Sequence, residues 1–268
     1  MSNVAALIAA AQQAKEIAST DMTQAQKGGQ KARLLPEGMT IARLVGYIEA
    51  GRQPNSYQGK PKDPVDKFRL VFAVYDEGFA NDDGTPYLVE TNWINQGRNE
   101  KSTAYKLFKQ LNWDGRATWW TDFIADVNGL VCQPVLLTIE HFKGGKDKKE
   151  TKSGIKLDGF LPPQDPRTRK LYDLPAIDEN LVQLFLWEFP TLEGWDGLRS
   201  FLQGDILKAV NFPGSALEEL LITNGRPTTP APKGEEPEEE DPQDDPQDAP
   251  ANPAPVQRRP AMAMPQPE

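Results

Sequence analysis

The chain has 268 residues, 38% of them apolar, six tryptophans and a formal net charge of −9. Its single cysteine, Cys132, and single histidine, His141, exclude a disulfide framework and Cys/His zinc sites and leave one imidazole for acid–base work. From Glu235 to the C-terminus there are ten acidic and two basic residues, net −8 of that −9, so residues 1–234 carry only −1 and a basic surface is compatible with the sequence pI near 4.9.

In chain order, Val4, Leu7, Ile8 and Ala11 predict a short helix within 3–18, followed by a polar leash, so that 1–34 is an N-terminal appendage. The segment lacks the basic start of an export signal, and nothing reaches the length of a membrane span. The expectation is a soluble, cytoplasmic protein. Alternation predicts a strand at 40–49, with Ala42, Leu44, Gly46 and Ile48 on one face and Arg43, Val45 and Tyr47 on the other. A turn-rich loop follows, then a strand at 66–75 with Phe68, Leu70, Phe72 and Val74 inward and Lys67, Arg69, Val71 and Tyr75 outward.

A third strand is read at 87–94, then a helix with Ala104, Leu107, Phe108 and Leu111 on its buried face. Beyond a less regular apolar stretch come a strand at 134–142, a lysine-rich loop and a fifth strand at 155–161. Cys132 reads as a small buried side chain and His141 as a strand-end residue. Three strands, a helix and two strands is the order of the OB-fold, a five-stranded, partly open barrel. The predicted fold is therefore mainly β with α additions, an OB-fold-like core at 35–161. Residues 162–225 read as a linker and acidic helical appendage, in which Trp195, Leu198, Leu202 and Ile206 share a face and Ser215 with Glu218 marks a capping box. Residues 226–268, proline-rich and acidic, cannot bury a core and read as a disordered tail.

Single-stranded nucleic acid is held by a cationic groove for phosphates and flat side chains for unstacked bases. OB-folds supply both from strands two and three and from the loops joining strands one to two and four to five. Here the first loop offers Arg52, Tyr57, Lys60 and Lys62, and the later loop Lys143, Lys146, Lys148, Lys149 and Lys152. The outward strand rows add Arg43, Tyr47, Lys67 and Arg69, with Tyr47 and Tyr57 as stacking candidates. Trp93 reads as part of a buried set with Tyr87, Val89 and Thr91. Trp119 and Trp120 are aromatic enough to stack, but core is the commoner fate of such residues. Lysine-rich loops are also often merely solvated.

The run KGGKDKK lacks the spacing of a phosphate-cradling loop, and no GxSxG, HExxH or paired-cysteine pattern occurs. The expectation is a protein without catalytic residues, metal or cofactor.

The stretch LLPEGMTIARLVGYIEAGRQPNSYQGKPKDPVDKFRLVFAVYDE, with DGTPYLVETNWINQGRNEKSTAYKLFKQLNW, resembles a bacteriophage family of single-stranded DNA-binding proteins over roughly 35–161. The resemblance implies an OB-type barrel that coats single-stranded DNA in replication or recombination, open to homo-oligomerisation. An acidic C-terminus resembles the tails that recruit replication proteins, although this one ends in PQPE rather than in an acidic run with a terminal aromatic. The alternative expectation is a virion structural or assembly protein whose lysine loops are only solvated.

Overall fold

A computed structural model describes residues 33–57, 60–144 and 149–230. The helix expected within 3–18, Lys146, Lys148, the Tyr57 side chain and the tail from 231 onward lie outside the described residues.

The fold is mainly β with short helices. Strand β1 (Gly38–Tyr57) and β2 (Lys60–Val74) form a long antiparallel hairpin, and β3 (Tyr87–Glu90) and β4 (Ile94–Asn95) both pair with β2. Helix α1 (Thr103–Leu111) follows, then a 3-10 turn at Trp120–Phe123 and a two-stranded hairpin of β5 (Ala125–Asp126) and β6 (Gly129–Leu130). Strand β7 (Pro134–Gly144) returns along the start of β1 and pairs with β8 (Glu150–Ile155). The sheet order is β3-β2-β1-β7-β8. Among the described residues no ladder joins β3 to β8, so the sheet is open at that seam.

Strong β2 alternation puts Phe68, Leu70, Phe72 and Val74 in one core, as the sequence predicts. Ser102 caps α1 by accepting the Tyr105 N–H, and the helix lays Ala104, Leu107 and Leu111 on that core. On β1 the alternation slips. Leu44 pairs with Phe72 but Gly46 pairs with Val71, so Val45 is an extra residue, a β-bulge. Continuous register would set Tyr47 against Arg69; the bulge sets it against Leu70, and the residues from Gly46 to Glu49 change face before the next register shift.

The opposite face of β1 and β2 is covered as well. Strand β9 (Gln183–Phe185) pairs parallel with Gly46–Ile48, and helices α2 (Leu192–Asp196), α3 (Ser200–Ile206) and α4 (Ala216–Thr223) follow it. They bury Trp195, Leu198, Leu202, Ile206, Leu217 and Leu221 against Val45, Ile48, Val71 and Ala73. The shared face expected of Trp195 to Ile206 is realised by two helices, because Gly197 ends the first and Arg199 begins the second. At α4, Ser215 accepts the Glu218 N–H and the Glu218 carboxylate accepts from Gly214. Residues 162–225 are thus joined to the sheet by a strand and a second core.

Two expected loops are strand pairs. Pairing of β1 with β2 runs from Ala42↔Val74 to Tyr57↔Lys60, with further register shifts after Glu49 and Gln53 that absorb the prolines and turn residues. Likewise β7 and β8 pair from Ile139↔Ile155 to Gly144↔Glu150, through the expected lysine loop. The expected third strand is broken at 91–93, where Thr91 accepts the Leu70 N–H on its side chain.

Candidate nucleic-acid interface

Three of the expected site residues are engaged by the protein itself. Tyr47 is fully buried, its ring parallel to Trp120 at 6.2 Å and its hydroxyl donating to Glu49 Oε1 at 2.9 Å. Burial and the neighbouring carboxylate hold its pKa well above the usual phenol range. A core ring offers no face to a base, so the stacking role expected of Tyr47 is corrected; the bulge at Val45 is the cause.

Arg69 keeps the expected side of β2, yet it is only 3% exposed. It pairs with Glu90 at 3.1 Å and lies over Trp93 at 4.8 Å and Phe201 at 5.6 Å. Glu90 also accepts from Arg199, and Trp93 donates to Asp205 at 3.2 Å. The helical segment covers this row, so the expected phosphate contact of Arg69 is overturned. Arg43 is half-buried and donates to the Pro175 carbonyl at 2.9 and 3.1 Å and to the Cys132 carbonyl at 3.3 Å. It fastens the linker to the sheet instead of facing outward.

The remaining described candidates lie on the two ribbons. On β1–β2, Arg52 is exposed and sits 3.6 Å from Asp66 on the facing strand; Lys60 is exposed at the tip; Lys62 and Lys67 are half-buried. On β7–β8, Lys143 is exposed and donates to Thr151 at 2.7 Å, Lys149 is exposed and Lys152 is half-buried beside Gly144. Gly38 pairs with Ile139, and β7 runs antiparallel to β1, so the two ribbons leave β1 in opposite directions. Tyr57 and Gly38 are 19 residues apart, roughly 60 Å for a straight strand at about 3.3 Å per residue. One ligand touching both ribbons therefore has to run the length of the sheet.

The base of the first ribbon is fixed by the C-terminal segment. Gly51 has φ +68, and a Cβ there would lie 2.5 Å from the Trp187 ring. The Arg52 N–H donates to Asn211, its carbonyl accepts from Val210, and Gln53 donates to the Asp205 carbonyl. Glu49, already accepting from Tyr47, also accepts the Trp187 N–H at 2.8 Å. These contacts hold the cationic ribbon at a set angle to the core.

Cys132 is buried as expected, and burial pushes its thiol up. His141 is half-buried, with Nε2 2.7 Å from the Leu35 carbonyl. Among the described residues no three His, Cys, Asp or Glu side chains gather as a metal site, and no helix is long and apolar enough to cross a membrane.

Of the paired tryptophans, Trp120 fills the core while Trp119 stands 39% exposed with Arg98 over its ring. The sequence names Trp119 but has no signal that separates it from its neighbour. No family model matches the chain, and no curated protein matches it.

Proposed function

We propose that this protein binds single-stranded DNA without sequence specificity, as an OB-type barrel working in phage DNA replication or recombination. The observation that carries the reading is the placement of the two cationic ribbons. They join strands one to two and four to five of an arrangement whose order, with α1 between, is that of the OB-fold. Strand β3 comes near β8 without pairing with it, at the place where an OB barrel would close. Lysines on projecting ribbons suit phosphates, because each neutralised phosphate releases counterions without reading a base.

The acidic run at 235–248, nine carboxylates with no basic side chain, acts in this reading as a tethered competitor for the same cations or as a handle for replication proteins. Truncation after Lys233 removes a net −8. It should tighten oligo-dT binding at low salt, with the gain fading as salt screens the competitor. Equal affinity of full-length and truncated protein would leave the tail only a partner-binding role.

One observation favours a virion assembly role: the outer side of β2 and β3, the face where an OB-fold often binds its ligand, is covered at Val71, Ala73 and Leu88 by residues 181–221. Titration with labelled oligo-dT and with duplex of equal length separates the two. Salt-sensitive binding that prefers oligo-dT supports DNA binding. Absence of binding to both at low salt leaves assembly.

A further inference from the structure

We infer that Trp119 and Arg98 form a base-stacking platform continuous with the first cationic ribbon, resting on the single-strand-binding reading above. The ring of Trp119 is 39% exposed, and the Arg98 guanidinium carbon lies 5.5 Å from its centroid. A half-exposed indole with an exposed guanidinium stacked over one face suits an unstacked base, through the ring or the guanidinium plane, and its adjoining phosphate.

The platform is held in position. Asp122 accepts from the Thr118 and Trp119 N–H groups at 2.7 and 2.9 Å and from the Thr118 hydroxyl at 2.9 Å. Its carboxylate is thereby turned toward the backbone. Trp120, next in sequence, packs on Phe68 at 4.6 Å and edge-on to Phe108 at 5.2 Å, so the core anchors the turn. The one exposed acid close to Arg98 in sequence, Glu100, is followed by the exposed Lys101.

Its place in the fold ties it to the ribbon. Asn95 pairs with Lys67, and the Gln96 N–H donates to the Asp66 carbonyl at 2.7 Å, while Asp66 pairs with Arg52. Arg98 is two residues beyond Gln96, within about 7 Å of extended chain. Arg52 and Asp66 share the face of Phe68, on which Trp120 packs, so a strand of DNA following Arg52 down the ribbon meets Arg98 and then Trp119. The ring thus takes over the stacking role that the buried Tyr47 cannot fill.

The test uses the full-length protein, labelled oligo-dT and the variants Trp119→Ala, Trp119→Phe and Arg98→Ala, with thermal unfolding of each as the fold control. Trp119→Ala should bind oligo-dT about 5- to 150-fold more weakly with an unchanged salt slope, whereas Trp119→Phe stays within about 3-fold of the parent. Arg98→Ala should lower the slope of log K against log salt by about 0.7. The fluorescence lost on oligo-dT binding should be smaller in Trp119→Phe. Parent binding with undiminished Trp119→Ala affinity, or equal weakening by Ala and Phe, overturns the platform alone. No binding by the parent overturns the functional reading and the platform with it.

Discussion

At its base the β1–β2 ribbon is locked by Gly51 against the Trp187 ring, by Gln53 on the Asp205 carbonyl and by Arg52 on Asn211 and Val210. The β7–β8 ribbon is tied instead to the segment entering β1, through His141 on Glu37 and Leu35 and through Ser153 accepting the Leu35 N–H. Farther out, its strand ladder and a Lys143–Thr151 contact support it. Two ribbons that both carry basic side chains therefore serve in one case as part of a packed junction and in the other as a projecting arm. Substitution at the first junction should act through stability, and substitution on the second arm through ligand affinity.

The sharpest break of that contrast lies beneath the first ribbon. Tyr47→Ala removes a fully buried ring and should cost about 3–5 kcal/mol, read from urea unfolding. A cost near zero would return Tyr47 to the surface. Gly51→Ala should cost about 2–4 kcal/mol, because a left-handed backbone and a Cβ at 2.5 Å from Trp187 are both unfavourable. A neutral Gly51→Ala would mean the junction yields and the two ribbons are alike.

A pH effect of smaller size sharpens the same picture beside α1. Burial alone would raise the pKa of Asp114, but hydrogen bonds from Arg116 and Gln133 and the Arg116 charge outweigh it and hold the carboxyl below its ordinary range. A lowered folded-state pKa stabilises the protein above the ordinary carboxylate range near pH 4, and the contribution disappears as pH falls through the folded value. Urea midpoints of parent and Asp114→Asn should differ at pH 7 and converge toward pH 3. A gap that widens on acidification would contradict the assignment. The smallest stability effect belongs to the second arm: Lys143→Ala with Lys149→Ala should change unfolding free energy by no more than about 0.5 kcal/mol.

How much of this was legible follows from which signals are local. The β2 faces and α1 could be read because Phe68 to Val74 and Ala104 to Leu111 keep strict periods. Tyr47 could not, because one bulged residue, Val45, moves it from partnering Arg69 to partnering Leu70, and sequence alternation carries no mark of that shift. Arg43 and Arg69 were placed on the correct side of their strands, but their burial depends on residues more than a hundred positions away, Pro175 and Phe201. Proline, glycine and lysine content marks segments 50–64 and 143–154 as loops, whereas bulges and cross-strand pairing extend the strands through much of both. Trp119 and Trp120 are chemically identical in sequence, and only the packing of Trp120 on Phe68 and Phe108 tells them apart.

The central claim, that lysines on projecting ribbons hold single-stranded DNA through phosphates, is tested most directly by salt. Log K for oligo-dT should be measured against log salt for the parent protein and for the combined Lys146→Ala, Lys148→Ala and Lys149→Ala variant. The parent slope should be steep and negative and the variant's shallower by about two, at roughly 0.7 per contact. Identical slopes would remove the β7–β8 ribbon from the site, and a parent slope near zero would contradict phosphate binding altogether.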